Sequence, residues 1–97
     1  MPRYVALVNW TDQGVRAAKE TVKRADAFVA AARRMDCQVH EIMWTMGPYD
    51  LVASLEAPND QVLSALTLSL GMLGNVRTMT MRAYTKEEMG KILERIP

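Results

Sequence analysis

The five residues Met46-Gly47-Pro48-Tyr49-Asp50 constrain this chain more than any other stretch, because they set a turn between two strand-like runs, Cys37 to Thr45 and Leu51 to Ala57. Proline presets φ at the second position of a turn, and an aspartate can hydrogen-bond nearby backbone amides. A β-hairpin is therefore expected near the middle of the chain. Its first arm could span about nine residues, which at ~3.3 Å per residue is roughly 30 Å, long for a strand and long enough to reach a second subunit.

The flanks of the hairpin define the rest of the order. Arg3 to Trp10 reads as a strand, with Tyr4, Ala6, Val8 and Trp10 on one face and Val5, Leu7 and Asn9 on the other. Both faces are largely apolar, so both want cover. Thr11 reads as an N-cap with Asp12 in the first turn, and Val15, Ala18, Val22, Ala25, Val29 and Ala32 follow at the spacing of a single helix face. The basic residues off that stripe, interrupted by Glu20 and Asp26, read as a solvated face. After the hairpin, Asn59 caps a second helix carrying Val62, Ala65, Leu66, Leu70 and Leu73, which Gly74-Asn75 ends.

Val76 to Tyr84 alternates as a fourth strand, with Met79, Met81 and Ala83 on one side and Thr78, Thr80, Arg82 and Tyr84 on the other. Thr85-Lys86-Glu87-Glu88 is a capping box that opens a last helix with Met89, Ile92, Leu93 and Ile96 on its apolar side. The expected fold class is thus α+β, a ferredoxin-like βαββαβ with a four-stranded antiparallel sheet, helices on one face and an extra C-terminal helix. Residues 1–97 are expected to form a single domain, which at this length would bury only about two-thirds of the surface that the unfolded chain exposes. The sheet face that the helices leave bare carries too much apolar surface for water. A few hundred Å² buried there at about 25 cal/mol per Å² supplies several kcal/mol, so a homodimer packed sheet to sheet, or a higher homo-oligomer, is expected.

Composition removes several classes of function. A formal net charge of +1 gives no field that would gather a polyanion. RNA-recognition domains share this strand order but stack bases on aromatics of the first and third strands, and Leu51 to Glu56 has none. Nucleic acid is not an expected partner. The single cysteine, Cys37, forbids an intramolecular disulfide and a four-cysteine zinc site. Regular alternation would place Cys37 and Met43 opposite His40, so no metal and no cofactor is expected, and the eight methionines read as core filling. Met1-Pro2-Arg3-Tyr4 lacks a signal-peptide core and no apolar run is long enough to cross a bilayer, so the expectation is a cytoplasmic protein with no membrane partner.

Three stretches together resemble the GYD domain family: Leu7-Val8-Asn9-Trp10-Thr11, Trp44-Thr45-Met46-Gly47-Pro48-Tyr49-Asp50, and Leu73-Gly74-Asn75-Val76-Arg77-Thr78. The resemblance covers nearly the whole chain. It implies a ferredoxin-like domain of the dimeric α+β barrel type in a family without an assigned biochemical role. One departure is Thr21-Val22, where the family often has a Ser-Pro break in its first helical region.

Polar and amphipathic residues on strands or at strand ends supply the candidate site. His40, the only histidine, and Asp50 are the candidate catalytic acid or base. Alternation would put His40 on one face with Ile42 and Trp44. Tyr49 and Trp44 would bind a small ligand at the turn, one as hydrogen-bond donor and the other as apolar wall, and Asn9 joins them from the first strand. Arg82, beside Thr80 and Tyr84, is the candidate for a carboxylate or other anion, or else the partner of an acidic neighbour. Two functions follow: a homo-oligomeric small-molecule-binding or assembly module, and, as the alternative, a cofactor-independent small-molecule enzyme, monooxygenase- or isomerase-like, with a cavity between sheet and helices. The second rests on fold analogy.

Overall fold

A computed structural model describes Met1–Pro97 and gives the order β1 (Arg3–Trp10), α1 (Asp12–Arg16), a short 3₁₀ turn (Ala18–Glu20), α2 (Thr21–Arg34), β2 (Gln38–Trp44), β3 (Leu51–Glu56), α3 (Asp60–Met72), β4 (Val76–Ala83) and α4 (Lys86–Leu93). The four strands form one antiparallel sheet in the order β2-β3-β1-β4. This is the ferredoxin-like fold with a C-terminal helix. No helix is long and apolar enough to cross a membrane.

Alternation along the strands sorts residues onto two faces. Tyr4, Ala6 and Val8 of β1 stand opposite Leu55, Ala53 and Leu51 of β3, and all six are buried beneath the helices. Ala32 from α2 and Leu63 and Leu66 from α3 close over Tyr4 and Leu55 to make the main core. Burial of a leucine such as Leu55 or Leu66 contributes about 2–3 kcal/mol. On the other face, Val5, Leu7 and Asn9 stand opposite Met81, Met79 and Arg77 of β4. No element of the chain covers them.

The capping chemistry read from the sequence is present. Thr11 and Asn59 accept from the amides of Gly14 and Val62, and Thr85 and Glu88 form the reciprocal box at the start of α4. Glu88 sits below the usual carboxylate range, first because the Thr85 backbone amide donates to it.

Three expectations of phase needed correction. The first helix is not continuous: it breaks at Ala18–Glu20, immediately before Thr21, so the helical phase restarts, leaving Val15 and Val22 exposed while Ala25 and Phe28 turn toward the sheet. In α3 the buried leucines are Leu63 and Leu66, with Ala65 and Leu73 exposed. Leucines on nearly every side of that helix made its stripe ambiguous, and packing against β4 and α2 chose it. In β2 a bulge between Val39 and Glu41 shifts the register, and the strand runs seven residues rather than nine. One extra residue swaps the face of everything beyond it.

Candidate functional site

The helix layer does not seal the sheet. A space remains between α2, α3 and the inner face of the sheet. Its cavity volume is about 70 Å³, small beside the ~300–1,000 Å³ typical of ligand pockets. Its floor is Ala6, Val8, Leu51 and Ala53; small alanines under the gap set its depth. Phe28 and Ala25 wall it from α2, Leu70 and Thr67 from α3, and Ile42, Val76 and Thr78 from the outer strands.

Two polar groups stand out in this apolar lining. Trp10, at the end of β1, turns its ring to the cavity and keeps its indole N–H buried without an acceptor. Leaving such a donor unpaired costs about 1–3 kcal/mol. Arg24 on α2 donates to the carbonyls of Ala17 and Gly14 at 3.0 and 3.1 Å, and no carboxylate lies within ion-pair distance of it. It is the only charged residue in the lining.

A second, polar cleft opens between α3 and β4, lined by Tyr4, Asp60, Ser64, Thr67, Thr80 and Arg82. The Tyr4 hydroxyl donates a hydrogen bond to the Asp60 carboxylate. Burial, reinforced by the Asp60 carboxylate, pushes the Tyr4 phenol up to about 12. The Thr80 hydroxyl is buried and unpaired, and Thr67 lines both spaces.

The residues named from the sequence do not gather at one site. Asp50 accepts from the backbone N–H of Trp10 at 2.9 Å, tying the hairpin turn to β1. Tyr49 reaches the Met79 sulfur at 3.8 Å on the outer face, where Asn9 also lies. Because of the β2 bulge, His40 does not share a face with Ile42 and Trp44: it bonds Glu56 at 2.9 Å on the outer side, while Ile42 and Trp44 stand opposite Ala53 and Leu51 on the inner side. The bulge also places Met43, opposite Val52, on the outer face with His40, while Cys37 is buried in the core. There burial pushes the Cys37 thiol up, with Asp36 adding to the effect. Trp44 donates to Thr21 at 3.0 Å and does not line the cavity.

Arg82 does share the inner face with Thr80, as alternation implied, and joins the polar cleft. Its guanidinium is partly spent: Glu88 stands 3.7 Å away, and the cation lies over the Tyr84 and Tyr4 rings at 4.8 and 5.7 Å from their centroids. Arg24, Phe28 and Asp60 line these spaces without a local sequence signal that marks them. Phe28, the only phenylalanine, lies off the stripe assumed for a continuous helix, and that signal was hidden by the break before Thr21.

A four-stranded antiparallel sheet with helices on one face, a small apolar cavity beneath them and an uncovered opposite face defines a ferredoxin-like α+β domain. Within that class the chain belongs to the GYD domain family, whose profile matches residues 4–93. No curated protein matches it significantly.

Proposed function

We propose that this protein is a homodimeric module that assembles through its uncovered sheet face and holds a small molecule in the cavity under its helices. The observation that carries the assembly is the apolar band Met43–Val52–Leu7–Met79, with Val5 and Met81 beside it, running across all four strands on the outer face. Met43, Met79 and Met81 are 49%, 56% and 45% exposed in the single chain. A contiguous band of this kind is a recognition surface rather than scattered surface apolarity.

Charge supports a second copy as the occupant. Arg77 lies toward one corner of the outer face, on β4 near the Trp10 end, and Glu41 toward the diagonally opposite corner, on β2 near the Arg3 end. A twofold axis lying along the other diagonal lays Arg77 of each copy over Glu41 of its partner and crosses the strands at about 90°, one of the two standard ways in which sheets pack. The apolar side of α4, with Met89 and Leu93 exposed, and Ile96 just beyond it are likewise uncovered within their own chain. Catalysis draws less support, since His40 and Asp50 are held by Glu56 and Trp10 and neither lines the cavity.

Sedimentation at micromolar concentration tests the assembly: the wild-type chain sediments as a dimer, and Leu7→Lys, which sets a charge in the middle of the band, as a folded monomer. A wild-type monomer at that concentration overturns the reading.

A further inference from the structure

We infer that α4 is a docking arm, whose apolar side packs antiparallel along the outward face of α3 in a second copy of this chain. The contact lies on the helix side of the domain and is separate from the sheet-face pairing proposed above.

α3 is apolar on two sides. Leu63 and Leu66 are buried against the core, while Ala65, Leu68 and Met72, spaced three and then four residues apart, form a stripe on the opposite side. Leu68 and Met72 are 69% and 86% exposed. Asp60, in the first turn, is the only charged residue of the whole helix. A helix that is apolar nearly all round suits cover on both sides, and no element of its own chain covers the outer one.

α4 has the complementary pattern. Met89 and Leu93, with Ile96 in the turn that follows, form one exposed stripe spaced four and then three residues apart, and Glu87, Lys91 and Glu94 lie on the opposite side. In reverse direction that spacing is three and then four, which is the spacing of the α3 stripe. Antiparallel docking therefore sets Ile96 over Ala65, Leu93 over Leu68 and Met89 over Met72. It also opposes the two helix dipoles and brings Arg95 to the end of α3 that carries Asp60. Parallel docking loses the match of spacing.

The chain's own α3 is out of reach in this orientation. β4 ends beside Arg3 and Tyr4, and Tyr4 bonds Asp60, so α4 starts at the N-terminal end of its own α3. Only Tyr84 and Thr85 join β4 to α4, and the Thr85–Glu88 box, with Arg82 3.7 Å from Glu88, holds the first turn there. Antiparallel docking needs that turn beside Met72, about 18 Å further along α3, whereas two residues span at most about 7 Å. The occupant is thus another copy. Six side chains bury well under the roughly 1,200 Å² of a standard interface, so the contact is weak alone and joins chains at high concentration.

Disulfide trapping tests the register in a Cys37→Ala background, which removes the only native thiol. Two single-cysteine chains are mixed at submillimolar concentration and oxidised, and the mixed disulfide is read by intact mass. Met72→Cys with Met89→Cys, and Ala65→Cys with Ile96→Cys, are expected to cross-link at least tenfold faster than Ala65→Cys with Met89→Cys. Should Cys37→Ala not fold, sedimentation of the otherwise native chain at that concentration takes its place. Species larger than those at micromolar concentration are then expected, and Leu68→Glu and Leu93→Glu should each abolish them.

Cross-linking of Ala65→Cys with Met89→Cys as fast as the matched pairs overturns antiparallel docking, and no mixed disulfide in any pair overturns the docking surface altogether. By sedimentation, absence of larger species in the wild type, or their persistence in Leu68→Glu or Leu93→Glu, overturns it equally. The sheet-face dimer is read separately at micromolar concentration and through Leu7→Lys, so its failure is not confused with any of these results.

Discussion

Gly14 lies so close to Asn75 that a Cβ on the glycine would sit 1.9 Å from the Asn75 carbonyl oxygen. The same oxygen accepts from the Thr11 amide at 3.0 Å, while Thr11 and Gln13 side chains bond the Gly74 and Leu73 carbonyls at 2.6 and 3.0 Å. The turn after β1 is thereby clamped to the turn before β4, and Gly74 turns the chain there with a φ of 82°. A methyl group at position 14 has backbone, not a flexible side chain, in its way. Gly14→Ala is expected to lower stability by about 2–4 kcal/mol, read as a lower urea midpoint with an unchanged slope. An unchanged midpoint would show that the two turns part at no cost.

Asp50 is a tie between the hairpin and the first strand. It accepts from the Trp10 amide at 2.9 Å through its carboxylate, while its own amide donates to Val8 and its carbonyl accepts from Thr45, each at 2.9 Å. Asp50→Ala removes only the first of these and leaves the Trp10 amide without its acceptor. A loss of about 1–3 kcal/mol is expected, with Asp50→Asn, which keeps an acceptor oxygen, losing less. Equal losses in the two variants would show that charge rather than the hydrogen bond matters.

The strand pattern was legible in the sequence because period-two alternation is local: that Tyr4, Ala6 and Val8 share one face of β1, and Met79 and Met81 one face of β4, follows from spacing, whereas which face turns inward is decided by the helices that pack there. The caps at Thr11, Asn59 and Thr85 were legible for the same reason. What spacing could not carry was phase after an irregularity. The break at Ala18–Glu20 brought Phe28 to the cavity, and the bulge between Val39 and Glu41 sent His40 to the outer face. Both are tertiary choices, made by how the following element packs. Arg24 was unreadable in a different way, because among interrupted basic residues only its contacts with Ala17 and Gly14 distinguish it.

The Tyr4–Asp60 pair makes a prediction about alkaline pH. The phenol is raised from 10.0 to about 12, by burial first and then by Asp60. A raised folded-state value means that the neutral form is favoured by folding, so this stabilisation is complete below about pH 10 and is lost as pH rises toward 12. Absorbance titration should show a late tyrosinate step that Tyr4→Phe removes. Asp60→Asn should move that step downward only part of the way, because burial remains. A step that returns fully to the ordinary value in Asp60→Asn would make the carboxylate, not burial, the leading cause.

Arg77 and Glu41 provide the sharpest check on the proposed twofold pairing of two copies. Within one chain they sit on opposite edge strands, Arg77 beside Asn9 on the β1–β4 side and Glu41 opposite Ser54 on β3, and neither has an ion-pair partner. Reversing one charge, as Arg77→Glu or Glu41→Arg, places like charges together twice in a twofold dimer, since each contact occurs in duplicate. Each single reversal is expected to weaken dimerisation about tenfold or more, mostly at low salt, because exposed charges are screened over roughly 10 Å at 0.1 M. The double reversal restores opposite pairing and should recover most of the affinity, a coupling that two independent surface changes would not produce. Sedimentation of the three variants at two salt concentrations measures it. Additive losses in the double variant would place Arg77 and Glu41 apart, and with them rule out the diagonal axis while leaving the apolar band free to pack in an aligned geometry.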